Sequence, residues 1–186
     1  MATSVAHVDH IDDAVLDAVA ARAWPARESV TVGPWTARWN GEAPGLLNSV
    51  ATPGEVTAKE IGALVTAAEG FYRTRSVPAR FQVSDTPRNA AVNAALREQG
   101  YTVEPGSDTV VQTAPLRVMR TMAPADRDGR VRITDGPTDG WLARWWASSD
   151  RDLDEAAQQT ITELLWEIPG RSTPTSGRAT RRWGRR

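Results

Sequence analysis

The stretch Thr57-Ala-Lys-Glu60-Ile61-Gly-Ala-Leu64-Val65-Thr-Ala-Ala68-Glu-Gly-Phe71-Tyr72-Arg-Thr-Arg75 decides the fold, because of what flanks it. Thr57 and Glu60 stand at capping-box spacing, where the hydroxyl takes a free first-turn N–H and the carboxylate reaches back to residue 57. Ile61, Leu64, Val65, Ala68, Phe71 and Tyr72 then recur at helical spacing, and Val77-Pro78 forbids continuation. On the N-terminal side, Trp35-Thr-Ala-Arg38-Trp39 alternates, with Trp35, Ala37 and Trp39 on one side and Thr36 and Arg38 on the other. On the C-terminal side, Arg80-Phe-Gln-Val-Ser84 alternates as well. A helix set between strands predicts a layered α/β (α+β) domain.

The pattern extends outward in both directions. A first helix is expected from about Ile11 to Ala23, with Ile11, Val15, Leu16 and Val19 on one face and Trp24-Pro25 as its stop. Ser29–Val32 reads as a strand, Asn40-Gly41 as a turn, and Leu46–Ala51 as a partner strand. A further helix has Thr86 as cap, Pro87 in its first turn, Val92, Ala95 and Leu96 as its buried stripe, and Gly100 at its end. Thr109–Thr113 reads as a strand, 117–129 as a linker, and Arg130–Thr134 as another strand. Trp141, Leu142, Trp145 and Trp146 stripe a short helix. Ala157, Ile161, Leu164, Leu165 and Ile168 stripe a second one, ended by Pro169-Gly170.

One strand and two helices are too little to close a core, so the block after residue 130 is expected to dock on the first block or on another chain. Its tryptophans, with Trp166, are expected to lack part of their cover and to leave a face suited to self-association. The organisation predicted is therefore a domain over 1–116, a linker over 117–129, an incomplete second unit over 130–170 and a disordered Arg-rich tail over 171–186.

Charge follows the same division. The 186 residues carry 22 Lys+Arg against 23 Asp+Glu, a formal −1. Residues 171–186 hold six of the arginines and no acid, which leaves 16 basic against 23 acidic residues before them, a formal −7. The tail raises a nucleic-acid reading, since six guanidiniums neutralise phosphates. It lacks lysine and aromatic interleaving beyond Trp183, and the expectation is a solvated tail with no nucleic acid as partner. The absence of cysteine excludes a disulfide framework and thiolate chemistry. No apolar run reaches membrane-span length, and the N-terminus lacks a basic segment followed by an apolar one. The expected setting is cytoplasmic, with no membrane as partner.

Chemistry-bearing constellations are scarce. His7 and His10, with Asp9, Asp12 and Asp13 nearby, form the one set at metal-ligand spacing, and a solvated helix start is the competing reading; no metal is expected. Neither phosphate-loop nor dinucleotide spacing occurs. The nearest approach to an Arg/Gln-x-x-Gly-x-Gly/Ala run, Arg97-Glu-Gln-Gly100-Tyr-Thr102, fails at its last position and falls at a helix end, where carbonyls are presented. Trp35 and Trp39 read as sheet core, with ligand stacking as the alternative. Asn48, among apolar residues, needs partners for a buried amide, and a structural role stands beside substrate contact. Catalytic and substrate-binding residues are unknown at this level.

Taken in order, Ala21-Arg-Ala-Trp24-Pro25, Gly33-Pro-Trp35 with Arg38, Asn48-Ser-Val50, Phe71-Tyr72, Pro78-Ala-Arg-Phe81-Gln-Val-Ser84, and Leu96 with Gly100-Tyr101 resemble the GNAT acyltransferase superfamily, in its bacterial tandem-domain form. The resemblance covers residues 14–116 and, weakly, 130–168. It implies a mixed, mostly antiparallel sheet flanked by helices, and an acetyl-CoA-dependent N-acyltransferase lineage with an unidentified acyl acceptor. In such proteins the second domain carries the glycine cofactor motif and a late catalytic Tyr. Neither has a matching position here, and no site residue carries over. The expectation is an acyltransferase-like chain inactive as it stands, its frame truncated or shifted near 168–171; the alternative is a non-catalytic interaction module using the Trp-rich block.

Overall fold

The computed structural model describes residues 11–107, 109–111, 113–115, 117–118, 134–148 and 153–168. Helix α1 (Asp13–Ala23) precedes strands β1 (Glu28–Val32) and β2 (Trp35–Trp39), a 3-10 turn at Gly45–Asn48 and strand β3 (Val50–Ala51). Helix α2 (Ala58–Arg73), strand β4 (Phe81–Gln82), a 3-10 turn at Pro87–Asn89 and helix α3 (Ala90–Glu98) follow. Helices α4 (Asp139–Ala147) and α5 (Glu155–Glu167) complete the described elements. The fold is α/β, as expected.

The four strands lie in the order β1-β2-β3-β4. The first two pairings are antiparallel and β3–β4 is parallel, because α2 returns the chain along the sheet before β4 begins. Val32 faces Trp35 and Val30 faces Ala37, so one sheet face carries the apolar set. There Val32, Trp35, Ala37 and Val50 meet Ile61, Val65, Ala68 and Tyr72 of α2 and Val92 and Leu96 of α3. Phe81 packs edge-on to Trp35 and Tyr101 edge-on to Phe81. Trp35 is fully buried, which places it in the sheet core and away from any ligand.

The capping box of α2 forms as read, with Glu60 Oε2 accepting from the Thr57 N–H at 2.9 Å and from its hydroxyl at 2.6 Å. Helix α3 closes with Gly100 at φ +87°, while the Gly100 and Tyr101 N–H groups reach back to Arg97 and Leu96. Thr86 occupies the cap position before Pro87, but its hydroxyl makes no cap hydrogen bond.

Four expectations need correction. Leu46–Ala51 is mostly a 3-10 turn with only Val50–Ala51 as strand, because Asn48 uses its amide to fold the loop back on itself. Arg80–Ser84 contributes only Phe81–Gln82 to the sheet. The described residues between 109 and 113 form no strand, and Val110 and Val111 are exposed. Helix α1 buries none of its residues: Val15 and Val19 are 53% and 51% exposed, so the apolar face points outward. Its inward side is polar, where Asp17 accepts from Ser84 Oγ at 2.8 Å and pairs with Arg88.

The two C-terminal helices dock on the first block through a second apolar cluster. Ile161, Leu164 and Leu165 of α5 pack with Ala43 and Leu47, and Trp24, Leu142, Trp145, Trp146, Leu153 and Ile168 border them. Arg27 adds an ion pair to Glu163 and approaches Glu167 at 4.0 Å. The strand expected at 130–134 lies outside the described residues except Thr134; so do the tail at 171–186 and the linker beyond residue 118.

Candidate functional site

The landing surface for the second block is made by two asparagines. Asn40 donates from its side chain to the Leu47 carbonyl at 2.6 Å and accepts from the Arg27 N–H at 2.9 Å. The Asn48 carbonyl oxygen accepts from the Asn40 N–H at 2.6 Å, and its NH2 donates to the Gly41 and Ala43 carbonyls. Every polar atom of the Asn48 amide is thereby used within the loop, and Gly41 turns it at φ +62°. The result is a rigid loop that holds Ala43 and Leu47 out toward α5. Of the two roles open for Asn48, the structural one holds.

On that support sits an aromatic array. Trp141 and Trp145 stack with ring centres 5.7 Å apart and planes 18° apart, and Trp146 lies 4.6 Å from Trp145. Thr138 caps α4 by accepting from the Trp141 N–H at 3.2 Å, which fixes the start of the row. Trp145 and Trp146 are half-buried against the second cluster, whereas Trp141 is 48% exposed. Trp166 on α5 is 54% exposed and lies over Gly136, where a Cβ would come within 2.3 Å of its ring. A stacked, half-exposed tryptophan offers a flat π face for apolar groups or cations.

A second candidate region lies at the end of α2. Hollows of about 440 Å³ and 190 Å³ sit on either side of Val77-Pro78. Glu69, Arg73, Ser76 and Tyr101 edge the larger, and Trp39, Glu42, Asn48 and Arg80 the smaller. Tyr101 donates its hydroxyl to Glu69 Oε1 at 2.7 Å. Burial first, and then this carboxylate, push its pKa well up, so the phenol keeps its proton and serves neither as base nor as nucleophile near neutral pH.

The residues sequence reading missed are Arg38 and Tyr72. Arg38 is 4% exposed and donates to the Ser49 carbonyl and hydroxyl, the Leu46 and Ala21 carbonyls and Gln82 Oε1. None of these acceptors is a carboxylate, and burial lowers the pKa of the guanidinium. The available signal was its place between Trp35 and Trp39 on a strand covered on both faces. Its side chain is consumed in holding α1, β3 and β4 together and is not offered to a ligand.

An acyl-CoA pyrophosphate needs free N–H groups at a helix start and positive charge around them. Asp12 accepts from the Ala14 N–H at 2.8 Å, and Asp154 from the Ala157 N–H at 2.8 Å. At α2 the Glu60 carboxylate takes the Thr57 N–H and hydroxyl, and Asp139 stands in the first turn of α4. The turn leading into α3 starts with Pro87, which has no N–H. Arg97–Gly100 lies at the carbonyl end of α3. The residues present therefore do not fit acetyl-CoA at these helix ends, since the α1, α2, α4 and α5 starts each carry an acid that repels phosphate. No group of acids or histidines able to hold a metal ion occurs among the described residues, and His7 and His10 lie outside them. Among those residues no helix is long and apolar enough to cross a membrane.

No family model, curated protein or solved structure matches this chain. The functional reading rests on its own residues.

Proposed function

We propose that this chain is acyltransferase-like by descent but does not itself bind acetyl-CoA or transfer an acyl group, and that it works as a binding module through the aromatic face of α4. The observation that carries this reading is Trp141, stacked on Trp145 and left half exposed on a helix pair fixed to the sheet domain by the Asn40–Asn48 loop. A tryptophan held in one orientation loses little side-chain freedom on binding, which favours its use as an anchor. The closed helix starts support the negative half of the reading.

Calorimetric titration of the full chain with acetyl-CoA tests it. No saturable heat is expected, and saturable binding overturns the reading in favour of an acyltransferase. Hydrophobic-dye fluorescence tests the positive half: the wild-type chain is expected to enhance it and Trp141→Ala to reduce that enhancement. Equal signals from the two chains count against the aromatic face.

A further inference from the structure

Helix α1 shows solvent a stripe that is complementary to itself. One side of the helix is fixed to the sheet domain, where Asp17 accepts from Ser84 Oγ and pairs with Arg88. Successive helical residues are turned by about 100°, so Asp12, Val15, Val19 and Arg22 fall together on the side opposite Asp17. All four are exposed, the two valines at 53% and 51%. Their spacing of three, four and three residues is that of a seam by which two helices pack along each other. Leu16, Ala18 and Ala23 flank the seam, while Asp13, the other charge of α1, lies round toward Asp17.

The order of charges along the seam names the partner. Asp12 stands at its start and Arg22 at its end, and neither forms an ion pair among the described residues. Asp12 and Arg22 are centred on residue 17, and so are Val15 and Val19. A two-fold axis crossing the seam at that level lays a second α1 antiparallel on the first. Each Asp12 then meets Arg22 of the other copy, and each Val15 meets Val19 of the other copy. A parallel pair would instead set like charge on like charge at both ends. The Asp12 Oδ1 already caps the helix by accepting from the Ala14 N–H at 2.8 Å, which leaves Oδ2 for a guanidinium.

We infer that the protein forms a weak homodimer in which α1 packs antiparallel on α1 of a second copy, closed at each end by an Asp12–Arg22 ion pair. The inference does not depend on the aromatic face of α4. A lipid surface fits this stripe less well, because it would favour several bases flanking the apolar residues and the helix has Arg22 alone. Two helices of 11 residues cover less than the roughly 1,600 Å² of a standard interface, so the dimer is expected to form only at tens to hundreds of micromolar. Because the end pairs are exposed, salt weakens it further.

Sedimentation velocity of the full-length chain in low salt, from about 10 to about 500 µM, tests the pairing. The wild type is expected to pass from monomer to dimer over this range. Arg22→Glu sets a carboxylate against Asp12 at both ends and should raise the dissociation constant about tenfold. Asp12→Lys does the same with two cations. An equimolar mixture of these two variant chains restores both ion pairs and should associate within about threefold of the wild type. Since Asp12 also caps α1, Val19→Ser supplies a variant with the cap intact, and it too should weaken the dimer. A wild type that stays monomeric throughout overturns the inference and leaves the stripe to a different protein or a lipid surface. So does a dimer that Arg22→Glu leaves intact and Trp141→Ala abolishes, which would place the contact on α4.

Discussion

The Tyr72 hydroxyl closes both backbone hydrogen bonds of Arg38, accepting from its N–H at 3.2 Å and donating to its carbonyl at 2.9 Å. Arg38 follows Ala37, the last residue of β2 to pair with β3, so a phenol from α2 completes a ladder that the short β3 cannot. Removing it in Tyr72→Phe keeps the ring packing and leaves two buried backbone groups without a partner. The chain is expected to lose about 1–3 kcal/mol in urea denaturation, with an unchanged m-value. A loss within error would show that the sheet relaxes to satisfy these groups itself.

Arg38→Lys keeps the charge but not the fork that reaches the Ala21, Leu46 and Ser49 carbonyls and Gln82 at once. An ammonium on a shorter reach leaves several of those acceptors unpaired. The expected destabilisation is about 2–4 kcal/mol, read from the midpoint of chemical unfolding. Wild-type stability in this variant would mean that the guanidinium geometry is dispensable.

The chain has two tyrosines, and burial raises the pKa of both. A raised folded-state pKa favours the neutral phenol in the native protein. The stability linked to it is present below the ordinary tyrosine value of about 10 and is lost as pH rises through the folded values. Absorbance titration of the native chain should show little tyrosinate at pH values where the unfolded chain is already ionised. One tyrosine titrating normally in the native state would contradict the burial of its hydroxyl.

Glu60 behaves in the opposite sense. Its hydrogen bonds from the Thr57 hydroxyl and N–H hold its pKa below the usual range. The linked stability is present above about pH 4.3 and is lost as pH falls through the lower folded value. Glu60→Gln retains the reach of the capping box without the charge, so its stability should fall less steeply with acid than that of the wild type. Parallel acid profiles would assign no role to the carboxylate.

Leu164 is fully buried in the cluster that joins α5 to Ala43 and Leu47, separate from the core beneath α2. Leu164→Ala should cost about 2–5 kcal/mol, and the loss should fall on α4 and α5 first. Circular dichroism on heating is expected to show the near-ultraviolet signal of the stacked Trp141, Trp145 and Trp146 lost with the first part of the helix signal, before the remaining helix melts with α2 and α3. A single coincident transition would mean that the two clusters unfold as one.

Long periodic elements were legible in the sequence because periodicity and caps point the same way there. The span of α2, its Thr57–Glu60 box, the Gly100 ending of α3 and the stripes of α4 and α5 all follow from spacing alone. What failed were places where a single polar side chain outweighs local pattern. Asn48 folds 45–48 into a turn within what reads as a strand. Asp17, by reaching Ser84 and Arg88, turns α1 so that its hydrophobic stripe faces away from the sheet. Long-range hydrogen bonds of this kind leave no periodic trace. The row Trp141, Leu142, Trp145 and Trp146 was legible as an apolar helix face, and among the described residues Trp141 at its start is left 48% exposed.

The attachment of α1 sets an order on synthesis. Arg38 reaches the Ala21 carbonyl of the helix only 17 residues on, but the helix's own side chain Asp17 waits for Ser84 and Arg88, the latter 71 residues later. At about 5–20 residues per second, roughly 4–14 s of translation separate Asp17 from Arg88. During that interval Val15 and Val19 stay as open to a ribosome-bound chaperone as they remain to solvent afterwards. Helix α1 is therefore made before Ser84 and Arg88 and gains its Asp17 contacts only after both have followed it.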